Sequence, residues 1–246
     1  MTLMQGKRGL VVGIANERSY AWFIAKSLVA AGAECIFTHL PGEKMERRTS
    51  KAIEALGVEN PTLISMDAGS DDDLDRVFGD LGNIDFLVHS IAFAVKDWLA
   101  EGKFTSTPRE VFTQALDISA YTYMAMANRA APLMNNGGAM VAMSYYGAEK
   151  AVPGYNVMGV AKSALESVTR YLAMELGEKN IRVNTISGGP LRTMSSMAVG
   201  GFSSILELVE QKAPLKRNVT GEDVGEAATW LLSDAASGVT GQILYV

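Results

Sequence analysis

Two phenols and one amine with the chemistry of a redox site stand close together in the chain, at Tyr145, Tyr155 and Lys162. From Tyr155 onward the residues are good helix formers, and seven positions correspond to two helical turns, so Tyr155 and Lys162 should share one face. An ammonium beside a tyrosine hydroxyl favours phenolate, or a phenol that readily donates a proton or hydrogen bond, and can also bind ribose hydroxyls. Such a pair suits oxidation or reduction beside a dinucleotide, although the same spacing also occurs by chance in amphipathic helices.

The elements that must position these residues alternate along the whole chain, strand with helix, which is typical of a parallel sheet covered by helices on both faces. Strands are expected at 9–12, 34–38, 62–65, 86–89, 139–143, 182–186 and 243–246. Helices are expected at 20–31, 43–56, 71–81, 108–134, 155–176, 203–211 and 221–233. The prediction is therefore one Rossmann-type, doubly wound α/β domain over residues 1–246, with a seven-stranded parallel sheet.

Composition excludes several classes of protein. The formal net charge of −5 and the absence of a basic block argue against a nucleic-acid partner. No apolar run approaches the ~18 residues that span a bilayer, and no secretory leader is visible, so we expect a cytoplasmic protein without membrane contact. Cys35, the only cysteine, lies in an apolar strand and is interpreted as a core residue. The two histidines are widely separated in the sequence, so no metal site is expected from them and this cysteine.

The turn after the first strand is a candidate pyrophosphate site, because free N–H groups and the helix dipole meet there. The three-glycine fingerprint is missing, and only Gly13 stands at the strand end. Ser19 could cap the next helix or offer its hydroxyl to a phosphate. Asp67, at the end of the third strand, could accept a hydrogen bond from an adenine amino group or take part in capping the following helix. No acid marks the tip of the second strand, so the residues alone do not decide between NADH and NADPH.

The long helices carry apolar residues on more than one face, with Tyr121, Met124, Met126 and Leu133 among them. Helices with too much apolar surface for one sheet usually bury the excess against another subunit. A homo-oligomer is therefore expected. Of the two histidines, His39 is interpreted as a rim residue, and His89 as an interior residue with satisfied polar atoms.

Four segments of the chain, 13–19, 90–94, 145–162 and 184–193, together resemble the bacterial enoyl-acyl carrier protein reductases, which are divergent short-chain dehydrogenases/reductases. The segments 213–217 and 237–241 also look like this family. The most specific element is the gap of seven from Tyr155 to Lys162. Ordinary members of the superfamily place the tyrosine four positions before the lysine, where this chain has Met158. Leu40 departs from the pattern, because many relatives have glutamine there.

The resemblance implies an activity and partners. The chain would reduce the trans-2 double bond of an enoyl group on acyl carrier protein with NADH, NADPH not being excluded, in the last step of the fatty acid elongation cycle. A homotetramer is implied as well. The alternatives are a ketone or alcohol oxidoreductase of the same fold, against which Met158 argues, and a dinucleotide-binding protein without turnover.

The resemblance also implies roles for individual residues. Tyr145, Tyr155 and Lys162 would be catalytic, and Ala94 would contact the substrate together with the two tyrosines. The implied cofactor-binding residues are Gly13, Ser19, Tyr20, Leu40, Asp67, Ala68, Ser90, Ile91, Lys162, Leu191, Arg192, Thr193, Met194 and Ser195. Residues 191–212 would form a substrate lid, with Gly200 and Gly201 as its hinge.

Overall fold

The sheet is built from short strands, of which the five central ones are largely buried and the two at the edges are only partly covered. The computed structural model describes residues 2–193 and 202–246. The strands are β1 Arg8–Val12, β2 Glu34–His39, β3 Thr62–Ser65, β4 Phe86–His89, β5 Gly138–Ser144, β6 Ile181–Ser187 and β7 Ile243–Tyr245. All neighbours pair in parallel, in the order β3-β2-β1-β4-β5-β6-β7. The predicted seven-stranded parallel sheet is confirmed.

Helices follow the strands as the sequence pattern indicates. They are α1 Tyr20–Ala30, α2 Glu43–Glu54, α3 Asp71–Asp80, α4 Arg109–Leu116, α5 Thr122–Ala130, α6 Asn156–Leu176, α7 Phe202–Lys212 and α8 Gly221–Leu232. The prediction of one helix over 108–134 is wrong, because a π-helical turn at Asp117–Tyr121 separates α4 from α5. The turn carries the buried Ser119, whose hydroxyl bonds both the N–H (3.0 Å) and the carbonyl oxygen (3.2 Å) of Phe93. Such turns are common at functional sites.

Both faces of the sheet are covered, because successive side chains of a strand point in opposite directions. Leu10 and Val12 of β1 pack into the core with residues of α3, α5 and α6, such as Tyr123. Val11, between them, packs into the opposite core with residues of α1 and α8, such as Ile24. The strands therefore read as continuous apolar runs rather than as alternating patterns.

The strand order reverses between β1 and β4, which are neighbours in the sheet although they are far apart in sequence. In open α/β sheets, ligands bind in the crevice beyond the carboxyl ends of the strands at such a switch point. Gly13, the residue after β1, shows how closely the backbones approach there: its φ is 108°, and a Cβ would lie 2.1 Å from the Ser90 carbonyl oxygen. Only glycine fits this position.

Membrane-spanning helices and metal-binding groups of side chains are both absent from the described residues. Within residues 2–193 and 202–246, no helix combines the length and the apolar character that a bilayer crossing requires. In the same ranges, no group of three or more His, Cys, Asp or Glu side chains is arranged to hold a metal ion. Cys35 is buried, and burial raises the pKa of its thiol to about 12, so it behaves as a core side chain.

Candidate active site

One cavity of about 300 Å³ opens at the switch point, beyond the carboxyl ends of β1, β4, β5 and β6. Most of the predicted site residues line it: Gly13, Ser19, Tyr20, Ser90, Ile91, Ala94, Tyr145, Tyr155, Lys162, Leu191 and Thr193. Four others, Leu40, Asp67, Ala68 and Arg192, are not in its walls. Met194 and Ser195 lie outside the described residues, as does the expected hinge at 200–201. The fold thus brings segments from both halves of the chain to one place.

The two phenols are neighbours in this cavity. Tyr145 follows β5 directly, and Tyr155 occupies the position just before α6. Their rings meet edge to face, with centroids 4.9 Å apart and an interplanar angle of 67°. Gly147 makes room for this arrangement, since a Cβ there would lie 2.4 Å from the Tyr155 ring. The cavity therefore presents two aromatic hydroxyls side by side.

Both tyrosines are neutral hydrogen-bond donors at physiological pH. Burial raises the pKa of Tyr155, and the neighbouring Tyr145 raises it further. Burial also raises the pKa of Tyr145. Of the two states that the sequence left open for the lysine-tyrosine pair, the structure supports the hydrogen-bonding phenol and not the phenolate.

The Lys162 side chain is 5% exposed and bonds to backbone oxygens. Its Nζ donates to the carbonyl oxygen of Met143 at 2.7 Å and to that of Ile91 at 3.4 Å. Burial lowers the pKa of Lys162 to about 8, and the carboxylate of Glu166, one helical turn further along α6, opposes this shift. Glu166 itself accepts a 2.6 Å hydrogen bond from the Ser144 hydroxyl. The lysine remains an ammonium at pH 7, fixed in the wall of the cavity.

The other end of the cavity suits a pyrophosphate. Ser19 stands at the N-cap of α1, but its hydroxyl donates to the Asn16 carbonyl oxygen at 2.6 Å and does not cap the helix. The positive end of the α1 dipole is therefore turned towards the cavity without a capping side chain. The Tyr20 hydroxyl donates to the Gly189 carbonyl oxygen and so joins α1 to the segment after β6.

Two of the predicted site residues at the tips of β2 and β3, Leu40 and Asp67, are open to solvent, whereas Ala68 is buried. Leu40, after β2, is 57% exposed. Asp67 is exposed, and its Oδ1 accepts a 2.9 Å hydrogen bond from the Gly69 N–H. Ser70, and not Asp67, caps α3 through a 3.3 Å bond from the Asp73 N–H. Asp67 is therefore free of the capping role, and its role at an adenine ring stays a prediction.

The two histidine interpretations need correction. His39 is buried rather than at the rim, and its Nδ1 donates to the Leu40 carbonyl oxygen at 2.7 Å. His89 is interior, and its Nε2 lies 2.8 Å from the Thr122 hydroxyl. Its Nδ1, however, has no protein partner within the described part of the chain. Burial lowers the pKa of His89 to about 3, so this ring is neutral.

Sequence reasoning missed much of the apolar wall. Apart from Ile205, which belongs to the predicted lid at 191–212, the unpredicted lining residues are Ala15, Asn16, Ala92, Phe93, Leu99, Met143, Ser144, Val152, Met158, Gly188, Gly189 and Pro190. Met158 could have been predicted as a wall residue, because it occupies the position at which ordinary relatives have the catalytic tyrosine. Leu99 and Val152 come from irregular segments with no periodicity, so nothing in the sequence marked them as wall residues. The result is a polar end beside Lys162 and an apolar end around Leu99.

Comparison with known proteins agrees with this geometry. A family model described as "Enoyl-(Acyl carrier protein) reductase" matches residues 13–246. The enoyl-[acyl-carrier-protein] reductase [NADH] of Nostoc sp. is 48% identical over 253 residues, covering 100% of this chain and 96% of that protein. The corresponding [NADPH] enzyme of Staphylococcus aureus is 46% identical over 250 residues, covering 100% of this chain and 97% of its own length.

A solved structure shows the same fold at full length. The crystal structure of the Bacillus cereus enoyl-acyl carrier protein reductase with NADP+ and indole naphthyridinone has a TM-score of 0.96 and 44% sequence identity. The match covers 100% of this chain and 96% of that one. Its extent takes in the sheet, the switch-point cavity and the segment that carries Tyr145, Tyr155 and Lys162. This chain belongs to the enoyl-acyl carrier protein reductase family.

Proposed function

We propose that this protein reduces the trans-2 double bond of enoyl chains carried on acyl carrier protein, with NADH as the electron donor, in the last step of the fatty acid elongation cycle. The observation that carries the proposal is the convergence of Tyr145, Tyr155 and Lys162 in one cavity. The lysine is paired with a tyrosine seven positions earlier, and Met158 occupies the place four positions before it. That arrangement separates this family from ordinary relatives.

The residues present fit a bound dinucleotide. The N-terminus of α1 has no capping side chain, so its backbone N–H groups can bind a pyrophosphate. Gly13 lies directly against Ser90, so no side chain fills the space beside this helix end. The Lys162 ammonium would bind the ribose hydroxyls at the nicotinamide end. When bound, the reduced nicotinamide supplies a hydride to the substrate. The polar contacts of the dinucleotide would be made mainly by residues at the carboxyl ends of β1, β4 and β6.

The chain itself contributes orientation and charge stabilisation. The Tyr155 phenol donates a hydrogen bond to the thioester carbonyl oxygen, on which negative charge collects as the β-carbon accepts the hydride. Tyr145 packs against the Tyr155 ring and limits its movement. The apolar wall around Ala94 binds the acyl chain and orients the reacting carbons. The Lys162 ammonium adds a positive field beside the developing enolate, and a proton taken up at the α-carbon then completes the reduction.

One assay tests the proposal against its alternatives. NADH oxidation is followed by absorbance with a trans-2-enoyl thioester and, separately, with a 3-ketoacyl thioester. We expect turnover with the enoyl substrate only. Turnover with the ketoacyl substrate alone would favour the ketone reductase alternative, and NADH binding without turnover of either would favour a non-catalytic protein.

The preference for NADH should depend on Leu40, at the tip of β2. Leu40→Arg places a guanidinium where the 2′-phosphate of NADPH would lie, and a charge-assisted hydrogen bond to phosphate contributes about 1.5–3 kcal/mol. We expect kcat/KM for NADPH relative to NADH to rise by about 10- to 100-fold. Leu40→Met is the matched neutral control and should leave the ratio unchanged. An unchanged ratio in Leu40→Arg would place the adenosine end elsewhere.

NADH affinity should fall as the pH rises through about 8. The pKa of Lys162 is lowered to about 8 by burial, so above this pH the ammonium that binds the ribose becomes a neutral amine. We expect affinity to fall by up to about tenfold per pH unit above 8, measured by NADH fluorescence titration between about pH 6 and 9.5. Lys162→Met has no titrating group here and should bind NADH weakly at every pH. If NADH affinity showed the same pH dependence in Lys162→Met, the titrating group could not be Lys162.

We also propose that the protein forms homo-oligomers, and a homotetramer is the state that the resemblance implies. Support comes from the exposed apolar residues Tyr121, Met124, Tyr171 and Met174 on and beside the neighbouring helices α5 and α6. Two of the apolar residues predicted for this face do not belong to it, since Met126 is fully buried and Leu133 packs against the core. Sedimentation should give an assembly that Met174→Glu weakens, and a stable wild-type monomer would contradict the proposal.

The lid proposed at 191–212 is supported by Leu191, Thr193 and Ile205, which line the cavity at either side of the undescribed stretch. A single domain over 1–246 and a cytoplasmic location also stay predictions. Limited proteolysis with and without cofactor would test the lid, because a lid that closes over bound ligand should become protected.

A further inference from the structure

The residue directly after Tyr155 has an unusual backbone conformation. Asn156, the first residue of α6, has φ 42°, in the left-handed region that few non-glycine residues adopt. Asparagine tolerates this region better than most residues do. The chain therefore makes a sharp turn between Tyr155 and the helix that carries Lys162, at a position where the local strain costs about 1 kcal/mol or more.

The side-chain amide nitrogen of Asn156 is hydrogen-bonded to another segment. Its amide Nδ2 donates two hydrogen bonds of 2.8 Å, one to the Trp98 carbonyl oxygen and one to the Ala100 carbonyl oxygen. These two carbonyls flank Leu99. The single amide group thus bridges both sides of Leu99 and ties its backbone to the start of α6.

Leu99 is a wall of the cavity. It is 7% exposed and packs in a separate small core with Val157, Met158 and Ala161, against which Tyr155 and Ala94 also pack. The segment around it has little regular structure of its own, only a short turn at Lys96–Trp98. In an irregular segment the position of a side chain depends on such anchoring contacts.

We propose that Asn156 is a positioning residue that sets the apolar wall of the acyl site by holding Leu99 beside Tyr155. The proposal rests on the function argued above, because the wall matters through the acyl chain that it contacts. Asn156 touches neither the reacting atoms nor the cofactor end. Its effect should therefore grow with the length of the acyl chain, since apolar contact grows with the buried area.

The test separates the amide from the backbone conformation. Asn156→Gly keeps the positive φ without strain and removes only the amide, whereas Asn156→Ala removes both. The matched control is Asn60→Gly, an exposed asparagine with φ 50° on the loop between α2 and β3. KM and kcat are measured with a four-carbon and a twelve-carbon trans-2-enoyl thioester. Hydrogen exchange is measured in parallel over residues 95–103.

We expect Asn156→Gly to raise KM for the long substrate by about tenfold, because a Leu99 wall released from its anchor contacts less of the acyl chain. With the short substrate KM and kcat should stay within about twofold, and NADH affinity should not change. Exchange over 95–103 should become faster in this variant and stay unchanged in Asn60→Gly. Asn156→Ala should show the same selectivity together with a lower melting temperature.

Unchanged exchange over 95–103, or equal effects on both substrates, would overturn the proposal. The exchange measurement also keeps it distinct from the proposed function. If the wild-type protein did not reduce enoyl thioesters, the function would fail. Faster exchange in Asn156→Gly would then still establish the anchor of Leu99, and unchanged exchange would remove it.

Discussion

Replacement of Tyr155 with phenylalanine is expected to lower kcat with an enoyl thioester by about 10²- to 10³-fold, because the loss of one donor to a developing oxyanion costs about 3 kcal/mol. The ring stays, so its edge-to-face contact with Tyr145 and its packing against Gly147 are preserved. NADH affinity should be unchanged, since Lys162 bonds to the backbone of Met143 and Ile91 rather than to the phenol. Stopped-flow or steady-state NADH oxidation measures the loss.

A neighbouring tyrosine provides the control. Tyr146 is 46% exposed, meets the Tyr245 ring edge to face and does not line the cavity. Tyr146→Phe should keep wild-type turnover. Undiminished turnover in Tyr155→Phe would rule out its phenol as the group that stabilises the carbonyl oxygen, and Tyr145→Phe would then be the next variant to measure.

Replacement of Lys162 with methionine should weaken NADH binding by about 10- to 100-fold, because a hydrogen bond from a charged donor contributes about 1.5–3 kcal/mol. Methionine has a similar length and suits a buried site, so the cavity keeps its shape. Two opposing effects act on stability. The Met143 and Ile91 carbonyl oxygens lose their donor, while the cost of burying an ammonium disappears. NADH fluorescence titration gives the affinity, and the melting temperature shows whether the fold is intact.

The control for this variant removes a lysine of the surface. Lys179 is exposed in the turn after α6, and Lys179→Met should leave NADH affinity unchanged. Together the two active-site variants predict a separation of effects. Tyr155→Phe should lose turnover and keep cofactor binding, whereas Lys162→Met should lose cofactor binding first. Wild-type NADH affinity in folded Lys162→Met would contradict the role given to the ammonium.

The sequence by itself determined the order of strands and helices. Buried parallel strands are continuous apolar runs, so β1, β4 and β5 are recognisable from local composition alone. Helix ends were less accurate, and the break at Asp117–Tyr121 was missed, because a π-helical turn uses the same helix-forming residues as the α-helix around it. The polar half of the site was also recognisable, since Tyr145, Tyr155 and Lys162 lie in one stretch of chain.

Only the tertiary structure decided how those groups behave and what surrounds them. The protonation states of Tyr155 and Lys162 follow from burial, which depends on distant segments and cannot be inferred from spacing. The apolar wall at Leu99 depends on two hydrogen bonds from Asn156, across more than fifty positions of sequence. Local propensity fixes which element a residue joins, because it acts over a few neighbours. The shape and charge of the cavity come from contacts between segments that meet only after the sheet has formed.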